Sequence, residues 1–273
     1  MDKLKALSKS IIFASVMLLF LALSAIIAKA MKLSANRTYI FQGSIMLLSL
    51  LVPLFYIGDK GLKPEEIGFN KINKKSLLEV LFYIPFVIAI ALLAIQFKKA
   101  GSTKSLIVIF YYFLCLAIAA EVYFRGLVQH FLRGKFHIIA IVAICGILFA
   151  CCNVYYLHKI TYMKHIAIFI VGSAAFAGVS TMVIERKGSI IFTIILNTLY
   201  YFMSFNHAVS GKKILLGHGI CWAVLLVYGL CLLIPYMKGS KKEVKEIETE
   251  ETTEETTEET TPEVEEVKET VEE

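Results

Sequence analysis

Eight long apolar runs dominate the chain and limit what it can fold into. They lie at 10–30, 38–57, 77–97, 105–130, 138–157, 163–184, 188–206 and 215–237. A helix needs roughly 20 apolar residues to cross about 30 Å of hydrocarbon, because each residue rises about 1.5 Å. Lipid offers the backbone no hydrogen bonds, so a crossing segment is a helix or part of a closed barrel. These runs are continuously apolar and do not alternate between two faces, which selects helices. The first run follows a basic segment, Lys3, Lys5 and Lys9, and resembles a secretory leader. Its apolar stretch from Ile11 to Ala28 is long for one, and more apolar helices follow, so a retained first span is expected. Hydrophobic residues make up 58% of the 273, at a mean hydropathy of +0.71, too apolar for a soluble domain of this length. The expected fold class is an all-α polytopic membrane helical bundle of about eight transmembrane helices, with a disordered acidic C-terminal tail.

The formal charge of +6 combines two opposite parts. Residues 241–273 hold fifteen Glu against four Lys, a net of −11, so residues 1–240 carry +17. A basic membrane body suits anionic lipid headgroups, so the lipid bilayer is the expected partner and nucleic acid is not. Short loops on alternate sides differ in basic residues. Lys60, Lys63, Lys71, Lys74, Lys75, Arg133, Lys135, Arg186, Lys187 and the Lys238–Lys245 cluster fall on the side of the N-terminus. That modest bias places both termini in the cytoplasm of an integral membrane protein, with the cell membrane as the expected site. The domain division follows: a membrane domain over 1–238 and a Glu/Thr-rich cytoplasmic tail over 239–273.

The tail contains EETTEETTEETT, whose four-residue period would stack Glu on Glu along a helix. Such a composition buries too little surface to fold, and disorder is expected; the alternative is a docking segment for a basic partner. The six cysteines, Cys115, Cys145, Cys151, Cys152, Cys221 and Cys231, all lie in apolar runs and read as packing residues. Adjacent Cys151 and Cys152 point about 100° apart on a helix, which argues against one shared metal. In the polar loop 58–76, Pro64 followed by Glu65 and Glu66 predicts a short interfacial helix start.

Outside the tail the chain has seven acidic residues, and Glu121 alone lies deep in an apolar segment. An ionisable group there is a functional-site candidate. Arg125, four residues later, shares its helix face and lies within pairing reach. A structural ion pair and a residue lining a water-filled cavity are both consistent with this spacing. The histidines, His130, His137, His158, His165, His207 and His218, fall at or near span ends.

The segment AEVYFRGLVQHFLRGKF, followed by ILFACCN and IERKGSIIFTIILNTLYY, resembles the CPBP family, the CAAX-protease and bacteriocin-processing membrane proteins that include type II CAAX prenyl endopeptidases. The family's first motif, Glu-Glu-x-x-x-Arg, aligns with Ala120, Glu121 and Arg125, followed by matching Gly126, Leu127 and Leu132. Its second, Phe-x-x-x-His, aligns with Phe149 and Asn153; its third, His-x-x-x-Asn, with Asn197 and Tyr201. The GLKPEEIGF loop also fits, so the resemblance spans about 60–205. The resemblance implies metal-free hydrolysis within the membrane: carboxylates and a His activate water, and a His and an Asn stabilise the oxyanion. It implies no cofactor and no metal. Here Ala120, Asn153, Asn197 and Tyr201 depart from the motif, and Glu121 and Arg125 keep it.

Three functions follow as expectations. One is a CPBP-fold protein, inactive or impaired as a peptidase, working as a membrane scaffold or regulator with a membrane or cell-envelope protein partner. The second is an active CAAX-processing or leader-peptide endopeptidase with Glu121 as general base and Asn153 and Asn197 as oxyanion donors. The third is a small-solute or ion transporter coupled through Glu121, although no pair of matching halves is visible in the sequence.

Overall fold

The computed structural model describes residues 2–70, 84–94, 103–153, 163–186, 188–205, 219–234 and 236. The tail over 239–273, the basic turn 71–76, Glu79, His158, His207 and His218 lie outside the described residues, as do the side chains of Asn153 and His165. Every described regular element is a helix, and each of the eight apolar runs contributes at least one, the second contributing two. They are α1 (Asp2–Ala30), α2 (Ala35–Ser49), α3 (Leu51–Lys60), α4 (Ile84–Ala94), α5 (Thr103–Glu121), α6 (Ile138–Asn153), α7 (Met163–Glu185), α8 (Ile190–Phe205) and α9 (Gly219–Ile234). Among the described residues, three stretches are long and apolar enough to cross a membrane: 2–30, 35–60 and 104–132. Four more, within α6 to α9, are apolar but shorter. The chain divides into a unit over Met1–Leu232 and another over Leu233–Glu273, and nearly all of the second lies outside the described residues.

The packing is that of a lipid-facing bundle. On α1 the buried stripe is Ala6, Ser10, Phe13, Ala14, Met17, Leu21, Ser24 and Ala28, stepping by three and four residues. The outward face carries Leu4, Ile11, Ile12, Leu19, Leu23 and Ile26. The five small residues of that stripe (Ala6, Ser10, Ala14, Ser24 and Ala28), with large apolar ones outside, suit helices that associate by close packing in a solvent as apolar as leucine. The hydroxyls Ser10 Oγ and Ser24 Oγ turn back onto their own helix, to Ala6 O at 2.9 Å and Leu21 O at 2.8 Å. Four cysteines are buried, whereas Cys151 and Cys231 lie on the outer surface. Cys152, pointing away from its neighbour Cys151, reaches Ala14 O on α1.

The helix of the second run is interrupted at Leu50, whose N–H donates three residues back, to Leu47 O at 3.1 Å. Pro53 explains the break. It has no N–H to offer the carbonyl four residues back, Ser49 O, and that carbonyl accepts Tyr123 Oη at 2.8 Å instead. The expected interfacial helix after Pro64 is a single 3₁₀ turn, Pro64–Ile67, ended by Gly68 at φ +83°. Gly68 O accepts Ile190 N at 2.8 Å and Asn70 Nδ2 donates to Gly188 O at 2.9 Å, so this loop clasps the start of α8.

Candidate functional site

Glu121 ends α5, and the chain continues as a wider helix, Val122–Val128, before a last α turn, Gln129–Leu132. In the wide stretch Gln129 N–H reaches back five residues, to Phe124 O. Such π turns are rare and recur at functional sites. Their effect here is on side-chain direction. In a regular α-helix, residues four apart drift by about 40° per step, because 3.6 residues make a turn. Added residues per turn cancel part of that drift. Glu121, Arg125, Gln129 and Arg133 therefore keep to one face, and the last three meet α7 level by level.

The hydrogen bonds give the register. Arg125 Nη2 donates to Ala177 O at 3.3 Å, Gln129 Nε2 to Thr181 O at 3.0 Å, and Arg133 Nε to Glu185 Oε1 at 3.0 Å. Each pair is 52 residues apart, so the two helices run in the same direction and step together. Gln129 Nε2 also donates to Glu185 Oε1 at 2.7 Å, and Arg133 Nη1 to Glu66 O at 3.3 Å. The small side chains Ser173, Ala177 and Thr181, themselves four apart, leave the α7 carbonyls open to long side chains.

At the inner end Glu121 and Arg125 are fully buried and 3.5 Å apart. That distance is a charge contact without hydrogen-bond alignment, since Glu121 Oε2 and Arg125 Nε have no hydrogen-bond partner. Glu121 Oε1 accepts Asn197 Nδ2 at 2.8 Å, which brings α8 onto the pair. The Arg125 guanidinium lies 4.9 Å from the centre of the Phe149 ring, a cation–π contact from α6. Phe149 continues into a buried aromatic row: Phe176, Tyr200 stacked on it at 5.0 Å, and Trp222, whose Nε1 donates to Tyr200 Oη at 3.0 Å.

Of the residues expected at the site, Glu121, Arg125 and Asn197 form one cluster. Tyr201 is buried and stacks on Phe113, with ring centroids 5.8 Å apart. Phe113 precedes Glu121 by two turns, about 12 Å along the helix. Asn153 ends α6, and its side chain lies outside the described residues. Ala120 is fully buried. His130 packs by Phe131 and His137 Nδ1 accepts Ile139 N, so neither described imidazole meets Glu121. Among the described residues no three His, Cys, Asp or Glu side chains gather as metal ligands. Sequence reasoning missed Gln129, Arg133 and Glu185 as partners of the same face. Extending the four-residue row from Glu121 and Arg125 leads to the first two.

With this geometry in view, residues 102–203 match the family described as Type II CAAX prenyl endopeptidase Rce1-like. The match takes in α5, the π turn and α6 to α8, hence every residue of the Glu121 cluster, and it agrees with the CPBP resemblance of the motifs. No curated protein matches the chain. The apolar helices together with this family domain make the chain an integral membrane protein.

Proposed function

We propose that the chain is a CPBP-family intramembrane protein in which the ancestral peptidase site has become a structural clasp, and that it works as a membrane scaffold or regulator. The observation that carries this reading is the Asn197 Nδ2 to Glu121 Oε1 bond of 2.8 Å. Water activation by the family needs a free carboxylate backed by a second carboxylate and an imidazole. Here the single carboxylate is engaged by an amide and a guanidinium, Ala120 fills the second carboxylate's place, and Asn153 stands where the motif has its water-activating histidine. Removing one positioned acid–base group costs about 10²–10⁴ in rate, and two are missing. The basic loops support a chain with both termini on the cytoplasmic side of the cell membrane, where the Glu/Thr tail would meet a basic protein partner.

The test is cleavage by the purified full chain in liposomes, against a prenylated CAAX peptide and a mixed peptide library, beside Glu121→Gln. No cleavage by folded protein is expected. Cleavage lost in Glu121→Gln would overturn the clasp reading and establish the second one, an endopeptidase using Glu121 as base. That reading is favoured by one observation: Glu121 Oε2, Asn197 Oδ1 and Arg125 Nη1 are buried without hydrogen-bond partners among the described residues, as a bound water's neighbours would be.

A further inference from the structure

Lys9 Nζ lies 5.9 Å from the centres of both the Tyr56 and the Phe131 rings and donates to Tyr56 Oη at 3.4 Å. Those two rings and Phe13 form a triangle with centroids 5.2, 5.3 and 5.4 Å apart, drawn from α1, α3 and the turn Gln129–Leu132. The ring quadrupoles attract the ammonium and hold it at the junction of these helices, although Lys9 itself is exposed. The described ion pairs take Lys60, Arg125 and Arg133 and leave Lys9 with no carboxylate. An ammonium has three N–H donors, and Tyr56 takes one of them. Tyr56 Oη is the acceptor in that bond, so its own hydrogen is left to donate. Two donors 3.4 Å apart are spaced to hold two oxygens of one phosphate.

The depth of the cluster follows from hydropathy. Lys9, Tyr56 and Phe131 each stand within one residue of the end of an apolar run, 10–30, 38–57 and 105–130. Their contact brings three separate run boundaries to one point, which sets the cluster at the level of lipid headgroups, where aromatic rings gather. Lys5, one turn before Lys9 on the same face and about 6 Å along the axis, is exposed and adds a second cation. Ile12, one turn further into the run on that face, is 58% exposed and offers apolar ground for an acyl chain. Lys9 and Tyr56 lie outside residues 102–203, so the family domain does not account for them.

We propose that Lys9 and Tyr56, backed by the rings of Phe13 and Phe131 and flanked by Lys5, bind the headgroup phosphate of one anionic phospholipid at the membrane face that bears the N-terminus. Lys9 and Tyr56 each donate to a phosphate oxygen, and the lipid supplies the anion that Lys9 lacks within the chain. The site selects by net charge. A choline headgroup brings its own trimethylammonium toward Lys9 and Lys5, whereas a glycerol headgroup brings none. This site stands whichever role Glu121 has.

Full-length protein in mild detergent is given equimolar phosphatidylglycerol and phosphatidylcholine, and the lipid that stays bound is counted by native mass spectrometry. One retained phosphatidylglycerol per chain is expected, in preference to phosphatidylcholine. Lys9→Gln removes a charged donor and is expected to cut that retention about tenfold. Tyr56→Phe keeps the ring, removes a neutral donor and is expected to cut it about threefold. Lys29→Gln, at the far end of α1, is expected to change nothing. A loss in Lys9→Gln that Lys29→Gln does not share carries the proposal; if Lys9→Gln does not fold, Tyr56→Phe decides in its place. Retention that does not fall, or that falls equally in Lys29→Gln, overturns it. Excess glycerol 3-phosphate, which lacks acyl chains, is expected to leave the lipid bound, and displacement by it would overturn the assignment to a lipid.

Discussion

Asn197 donates its side-chain amide to Glu121 Oε1 at 2.8 Å, across 76 residues of sequence, and so ties α8 to the end of α5 where the helix widens. The bond turns an isolated acid and base on one helix into a junction of three helices, with Arg125 reaching on to Ala177 O of α7. Its consequences can be measured one residue at a time.

Glu121→Gln keeps an acceptor for Asn197 but leaves the Arg125 guanidinium buried without an anion. Breaking one partner of a buried pair costs about 3–5 kcal/mol, so a large drop in Tm in detergent is expected. Glu121→Gln with Arg125→Met removes both charges and should recover more than half of that loss. A single variant that melts with the wild type would show that the pair holds nothing together.

Tyr123→Phe removes the donor to Ser49 O, a carbonyl that Pro53 cannot serve. A buried acceptor left unpaired costs about 1–3 kcal/mol. Pro53→Ala restores a backbone N–H at the right position, so Tyr123→Phe should be milder in that background. Equal losses in both backgrounds would mean that the carbonyl finds another donor.

Gly172→Ala places a methyl where the Trp222 indole lies. The indole is pinned by its bond to Tyr200 Oη and has little room to move, so a penalty of about 1–3 kcal/mol is expected. Trp222 is the one tryptophan of the chain, so its fluorescence reports the site directly. Unchanged emission and unchanged Tm together would refute the close packing.

Gly68→Ala and Gly58→Ala should act in opposite directions. Gly68 sits at φ +83°, and a methyl there would come 3.3 Å from Ile184 Cγ2, so a loss of about 1–2 kcal/mol is expected. Gly58 is helical with nothing within 4 Å, and alanine there should be neutral or stabilising by up to about 1 kcal/mol. Comparing the two by thermal melting separates backbone strain from the general effect of adding a methyl. Equal shifts would refute the assignment.

Much of this chain was legible before any coordinates. Glu121 stood out because a lone carboxylate in an apolar run is expensive, and Arg125 followed from helix spacing. Gln129, Arg133 and Glu185 did not stand out. Each is an ordinary residue near the end of an apolar run, and only the α7 surface opposite gives it a role. The π turn was also hidden, since apolar periodicity over 105–130 is equally consistent with an unbroken α-helix. The short helix read after Pro64 proved to be one 3₁₀ turn, because Gly68 takes a left-handed conformation and turns the chain toward α8.

The all-helical architecture was set by the sequence alone, because whether a segment can stay in lipid depends on its own composition and its own backbone hydrogen bonds. Which side chains meet inside was decided by the tertiary structure. The 52-residue register of α5 against α7, the Asn197 bond to Glu121 and the Ser49 carbonyl taken by Tyr123 all depend on how far each helix is rotated and slid against its neighbour. Close packing sets that rotation, and no local property of either helix contains it.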